Sequence, residues 1–187
     1  VTLTTPAQWR PAPAPWPGSA GDKGSPGAAN PPPSTVEPTP TPIVTAPSTL
    51  LPTATPTLSA TPTPTSFPAG PPPRVLISEF MANPQAVADD AGEWIELVNG
   101  DTVAVNLRDW VVRDDGNDRH RIAADLHLQP GEYAVLGVDS DAAVNGGVPV
   151  HYTYRSVTLA NRSDALVLEL PDGRVADSVH WGDAGGL

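Results

Sequence analysis

Proline is distributed along this chain so that only one part of it can build a packed core. Twenty-one of the 25 prolines lie in residues 1–73, and only Pro84, Pro130, Pro149 and Pro171 lie beyond. Proline fixes φ, has no N–H to give to a ladder and biases the residue before it toward extended backbone. Charge divides at the same place. Residues 1–73 hold Arg10, Lys23, Asp22 and Glu37, which cancel, while residues 74–187 hold eight arginines, no lysine and nineteen acids. The whole net charge of −11 therefore sits in the second part. The split predicts a polar, disordered N-terminal segment followed by one domain of ordinary size.

Residues 31–73 are a Thr/Pro/Ala/Ser tract, "PPPSTVEPTPTPIVTAPSTLLPTATPTLSATPTPTSFPAGPPP". Such a composition favours polyproline II, which at about 3.1 Å per residue reaches on the order of 120 Å. Ser and Thr beside Pro suit a glycosylated stalk in a secreted protein, and a plain spacer explains the tract equally well. A proline-binding partner is a third reading.

From residue 74 the texture changes to short apolar runs separated by turn residues: "RVLISEF", "EWIELVN", "TVAV", "DWVVRD", "HRIA", "EYAVLGV", "HYTYR", "ALVLEL" and "RVADSVHW". Strands at 8–12-residue spacing with no sustained helical period predict an all-β sandwich or barrel. Asn99-Gly100 and Asp115-Gly116 are expected to supply the positive φ of two-residue hairpins. Pro130-Gly131 fits the centre of a type II turn, Asn145-Gly146-Gly147 marks another reversal, and "LPDG" is expected to join the last two strands as a hairpin. Alternation in "EWIELVN" puts Ile95 and Leu97 in the core, because an unpartnered buried glutamate is costly, and puts Trp94, Glu96 and Val98 on the outer face. Leu107, Trp110, Val112, Leu136, Leu166, Leu168, Val175 and Val179 complete the predicted core.

The absence of cysteine excludes disulfides and thiolate metal sites and is compatible with any compartment. No apolar run approaches the roughly eighteen residues of a membrane span. The arginines are scattered among acids, which argues against nucleic acid and against anionic membranes as partners. Starting at Val1 without a methionine or signal pattern, the chain reads as a fragment of a multidomain protein.

Five motifs, in order, resemble the lamin tail domain in its prokaryotic extracellular form: "VLISEFMANP", "GEWIELVN", "VNLRDWVVRD", "LQPGEYAVL" and "LANRSDALVLELPDGRVADSVHWG". The resemblance covers residues 74–182 and implies an immunoglobulin-like β-sandwich with Greek-key topology over 74–187, cut short at its C-terminus. No lamin coiled-coil rod appears in this chain, so a nuclear-envelope role is not carried over. Modules of this kind are followed by a Trp-containing tail and a segment like "TPGxxN", and residues 1–30 contain Trp9, Trp16 and "SPGAAN". Residues 1–30 are accordingly either the end of a preceding copy or more disordered linker.

Several constellations are candidates for chemistry. Glu79, Asn83, Asp89, Asp90, Glu93 and Glu96 fall on two adjacent strands and their connection, and oxygen-rich loops of this kind take Ca²⁺, although the spacing matches no defined calcium loop. Solvated acids are the alternative. "RDDGNDRH", residues 113–120, begins like a calcium loop but lacks its later ligands and reads as a polar hairpin turn. His120, His127, His151 and His180 are dispersed. His120 and His127 meet only if their strands pair in one register, and Ser163 and Ser178 have no base beside them. Trp94, Tyr152 and Tyr154 are candidates for an aromatic surface that takes a glycan or a protein, or for a sandwich rim.

These readings converge on a non-catalytic structural and interaction module at the cell surface or in the extracellular space. Its expected roles are adhesion, spacing or tethering, with no catalytic residues and no resident cofactor. The alternatives are a calcium- or glycan-binding module, and the accessory domain of a secreted hydrolase or nuclease whose catalytic part lies outside this chain, as the resemblance implies.

Overall fold

The computed structural model describes Pro15, residues 22–28 and residues 72–182. Most of the Pro/Thr tract and residues 183–187 lie outside the described residues, as do the readings made for them. The described residues belong to one structural unit.

The regular elements of the described residues are strands, apart from one helical turn. The chain runs β1 (Val75–Met81), one helical turn α1 (Asp89–Gly92), β2 (Trp94–Asn99), β3 (Val105–Asn106), β4 (Val111–Arg113) and β5 (Arg119–Arg121). Then follow β6 (His127–Leu128), β7 (Tyr133–Gly137), β8 (Tyr152–Thr153), β9 (Asp164–Glu169) and β10 (Val175–Trp181). One sheet has the order β1-β2-β7-β8, the other β10-β9-β4-β5, and β3 pairs with β6 in a small third sheet. All pairings are antiparallel except β7 with β8. The chain thus crosses repeatedly between two sheets, as an immunoglobulin-like sandwich does.

The core is the one the alternation predicts. Ile95 and Leu97 are buried, with Leu107, Trp110, Val112, Leu136, Leu166, Leu168 and Val179. Val175 is the exception at 45% exposed. It pairs with Glu169 at the hairpin end of β10, before a register shift between Val175 and Asp177 that re-aims the strand.

The same device operates in β1. Simple alternation would put Val75, Ile77 and Glu79 on one face. The register against β2 shifts between Ile77 and Glu79, so Ser78 is an extra residue and Glu79 pairs with Glu96. The bulge keeps Val75 and Ile77 in the core and turns Glu79 to the outer face.

Two polar contacts close the sandwich at its open edges. At one, the edge strands β1 and β10 are joined by the Ile77 N–H, which donates to Asp177 Oδ2 at 2.9 Å. Phe80 stacks on Trp181 beside it, with ring centroids 4.5 Å apart. At the other, His120 on β5 reaches β8. Its Nδ1 lies 3.0 Å from the Arg155 carbonyl and 3.1 Å from the Arg155 N–H, and its Nε2 lies 3.0 Å from Tyr152 Oη. Burial lowers the His120 pKa, in keeping with a neutral ring.

The turns divide. Gly131 has φ 76° and the Glu132 N–H donates to the Gln129 carbonyl, the type II turn expected of Pro-Gly. In "LPDG", Gly173 has φ 85° and its N–H donates to Leu170, closing the β9–β10 hairpin. Asn99-Gly100 is not a hairpin turn: β2 lies between β1 and β7, not beside β3. Asn99 is buried instead, its Nδ2 donating to the Val103 and Leu128 carbonyls at 2.8 and 2.9 Å. Asp115-Gly116 does lie in a hairpin, β4–β5, but inside a longer loop in which Asp114 Oδ1 accepts the N–H groups of Gly116 and Asp118.

Candidate functional site

The outer face of β1 and β2 carries the groups that sequence alternation placed there, but it is covered. Trp94 is 1% exposed and Glu96 0%. Trp94 packs with Val135 of β7 and Val148 of the β7–β8 connection, and Met81 and Val150 complete that cluster. Gly137 permits the approach, since a Cβ there would stand 2.5 Å from Val150 Cγ2. The expected exposed aromatic surface is therefore corrected. Trp94 belongs to a second apolar layer, Tyr154 is buried at 0% exposure, and Tyr152 is half-buried and hydrogen-bonded to His120 and to the Ala123 N–H.

Next to Trp94, two carboxylates face each other across the β1–β2 pair. Ser78 on the bulge donates to Glu96 Oε1 at 2.6 Å. Further donors come from far away in the chain. The Ser25 N–H and Oγ donate to Glu79 Oε2 at 2.9 and 3.2 Å, and the Gly27 N–H donates to Glu96 Oε2. Conversely, Asp22 accepts the consecutive N–H groups of Gln85 and Ala86, at 2.6 and 3.1 Å, in the β1–α1 connection.

Like charges directly opposite are unfavourable, and burial adds to that. Desolvation pushes Glu96 up to about 7 against the lowering effect of Ser78 and Gly27, and Glu79 is raised by the same cause.

Glu93 lies apart. It precedes Trp94 and so points to the opposite face, where its Oε2 accepts the Leu159 N–H at 3.0 Å. Burial, with Asp89, Asp164 and Asp118 nearby, pushes it up to about 7. Its Oε1 and the Tyr154 hydroxyl are buried with no hydrogen-bond partner among the described residues. Asp89 accepts from Asn161 Nδ2 at 3.0 Å. The calcium candidates are thus divided: Glu79 and Glu96 share the outer face of β1–β2, Glu93 points to the opposite face with Asp89 nearby, and Asp90 is exposed on α1. Among the described residues no group of three or more His, Asp or Glu is placed to hold a metal ion.

The histidines do not gather. His120 sits in the second sheet and His127 in the small β3–β6 sheet. His151 accepts the Val135 N–H, and His180 lies 3.6 Å from Asp115. On the outer face of the second sheet, Glu169 is held by Arg113 and Arg119 at 2.7 and 2.9 Å.

The sequence model of the Lamin Tail Domain matches residues 68–183, more than half of the chain. The chain belongs to the lamin tail domain family. That family is one of immunoglobulin-like structural domains without a catalytic role of their own, in keeping with the strand order above. A search of curated proteins gave no match. Among the described residues of this lamin tail domain, no helix is long and apolar enough to cross a membrane.

Sequence reasoning missed Asp22, Ser25 and Gly27 as parts of the site, and Asp177 as the tie between the sheets. The Ser-Pro-Gly turn signal at 25–27 was visible, but nothing in it names the strand it meets.

Proposed function

We propose that this lamin tail domain is a non-catalytic structural and interaction module outside the cell, carried on a Pro/Thr-rich stalk and used to space or tether a larger protein. The observation that carries this reading is the direction of its buried carboxylates. Asp22, Glu79, Glu93, Glu96 and Asp177 all accept backbone N–H groups of their own chain. A general acid or base must present its oxygen to a substrate proton, and these oxygens are directed into the fold. The stalk is supported by composition: a Thr/Pro/Ala/Ser tract able to reach on the order of 100 Å in polyproline II, of the kind that suits a glycosylated stalk in a secreted protein.

An antibody to residues 74–182 tests the reading on cells that make the protein. Labelling of intact cells, removed by external protease, is the expected result. Labelling that requires permeabilisation would overturn the extracellular assignment.

A further inference from the structure

Residues 22–28 meet the domain through an interface that is almost entirely polar. Ser25-Pro26-Gly27-Ala28 is a turn closed by the Ala28 N–H on the Ser25 carbonyl at 2.9 Å, with Gly27 at φ 84°. Pro second and Gly third with positive φ is a type II turn. In such a turn the N–H groups of Ser25 and Gly27 are not used internally, Pro26 has none, and both free donors point away from the turn. These are the donors that Glu79 and Glu96 accept. Asp22, three residues earlier, supplies the return contact to Gln85 and Ala86 and is the one buried residue of the segment. Residues 22–28 contain no large apolar side chain.

Nor does the face require a permanent cover. Uncovered, Glu79 and Glu96 become solvated acids on an acidic surface; covered, each receives N–H donors. Both states are satisfied, which is the condition for a contact that opens and closes.

We propose that the outer face of β1–β2, with the amide pair of Gln85 and Ala86, is a peptide-docking site for an Asp-x-x-Ser-Pro-Gly turn. Its occupant is residues 22–28 of this chain, held reversibly. The Glu79–Glu96 pair reads the turn, and Asp22 fixes its register. This goes beyond the tethering role proposed above and stands on separate observations, because a docking site of this kind is testable wherever the protein resides.

The test uses the full chain in two forms: wild type, and a double variant Asp22→Ala with Gly27→Pro. Proline removes the donated N–H and is incompatible with positive φ, while both changes lie outside the strands. A synthetic peptide of residues 20–30 is titrated into each and followed by the amide resonances of Gln85 and Ala86. In the variant these two amides are expected to shift and lose exchange protection, and the peptide restores both. Wild type requires at least tenfold more peptide, because its own segment competes. A peptide carrying the Gly27→Pro change restores nothing. If the two amides are unaltered in the variant, or the peptide fails to restore them while the β9–β10 resonances show the variant folded, the docking site is refuted.

Discussion

The Ile77 N–H and the Asp177 carboxylate, 2.9 Å apart, join the first strand of one sheet to the last strand of the other. Because β1 is an edge strand, this N–H faces away from β2, and Asp177 supplies the acceptor that a further strand would otherwise provide. Each partner sits beside a bulge, at Ser78 and at Ala176. Asp177→Ala leaves a buried donor unmet, and hydrogen bonds to charged groups are worth about 2 kcal/mol. A loss of that size is expected in urea denaturation with m unchanged. A loss within about 0.5 kcal/mol, the range of ordinary surface substitutions, would mean the sheets do not depend on this tie.

The buried glutamates set a pH dependence with a definite sign. Glu93 and Glu96 are pushed up to about 7 from an ordinary 4.5, and Glu79 is raised as well. The folded state therefore binds these protons more tightly than the unfolded state. Their contribution is fully present below about 4.5 and lost as pH rises through about 7. His120 is lowered and acts oppositely: its contribution is present above 6.5 and lost as pH falls. With three raised carboxylates against one histidine, the domain should melt at a lower temperature at pH 8 than at pH 5.5. Glu96→Gln mimics the protonated acid. It should match wild type only below about pH 4.5, gain on it as pH rises, and exceed it at pH 8 by at least about 1 kcal/mol. Equal melting temperatures for the two proteins at pH 8 would rule this out.

The parts of this fold that were legible in the sequence are those governed by local rules. Period-two alternation identified Ile95 and Leu97, and Pro-Gly chemistry identified the turn at 130–131. The bulge at Ser78 was not legible, because a one-residue shift leaves no mark on composition, yet it decides that Glu79 stands opposite Glu96. Trp94 and Glu96 were assigned the correct face and the wrong exposure. Alternation tells which way a side chain points, but the cover comes from Val148 and from Ser25 and Gly27, which are distant in sequence. Asn99-Gly100 failed as a hairpin signal because the Asn99 side chain bonds Val103 and Leu128 instead. A tertiary partner overrode the local preference.

Trp94 discriminates between a surface aromatic and a structural one. Packed against Val135 and Val148 it is part of an apolar layer, and Trp→Ala in such a place costs about 3–5 kcal/mol. Trp94→Ala is expected to lose most of the domain's stability in chemical denaturation, and Trp94→Phe to retain more of it. An exposed ligand-binding tryptophan would give a change within about 0.5 kcal/mol, and that result would restore the surface reading.

Tyr152 and Tyr154 alternate along one short segment and should respond oppositely to loss of the hydroxyl. Tyr152 Oη lies 3.0 Å from His120 Nε2 and accepts the Ala123 N–H at 3.0 Å. Tyr152→Phe removes both contacts and loosens the β5–β8 edge, for a loss of about 1–2 kcal/mol. The Tyr154 hydroxyl is buried without a partner among the described residues, and burial beside Glu93 pushes its ionisation far up. Tyr154→Phe removes a polar atom that gains nothing from its surroundings, keeps the ring, and is expected to be neutral or stabilising by up to about 1 kcal/mol. It should also lower the Glu93 pKa little, since desolvation is the first cause of that shift and the ring still excludes water. Paired melts of the two variants at pH 6 check the contrast. If Tyr154→Phe proves as damaging as Tyr152→Phe, the hydroxyl has a partner that matters to the fold, and the unpaired Glu93–Tyr154 arrangement is wrong.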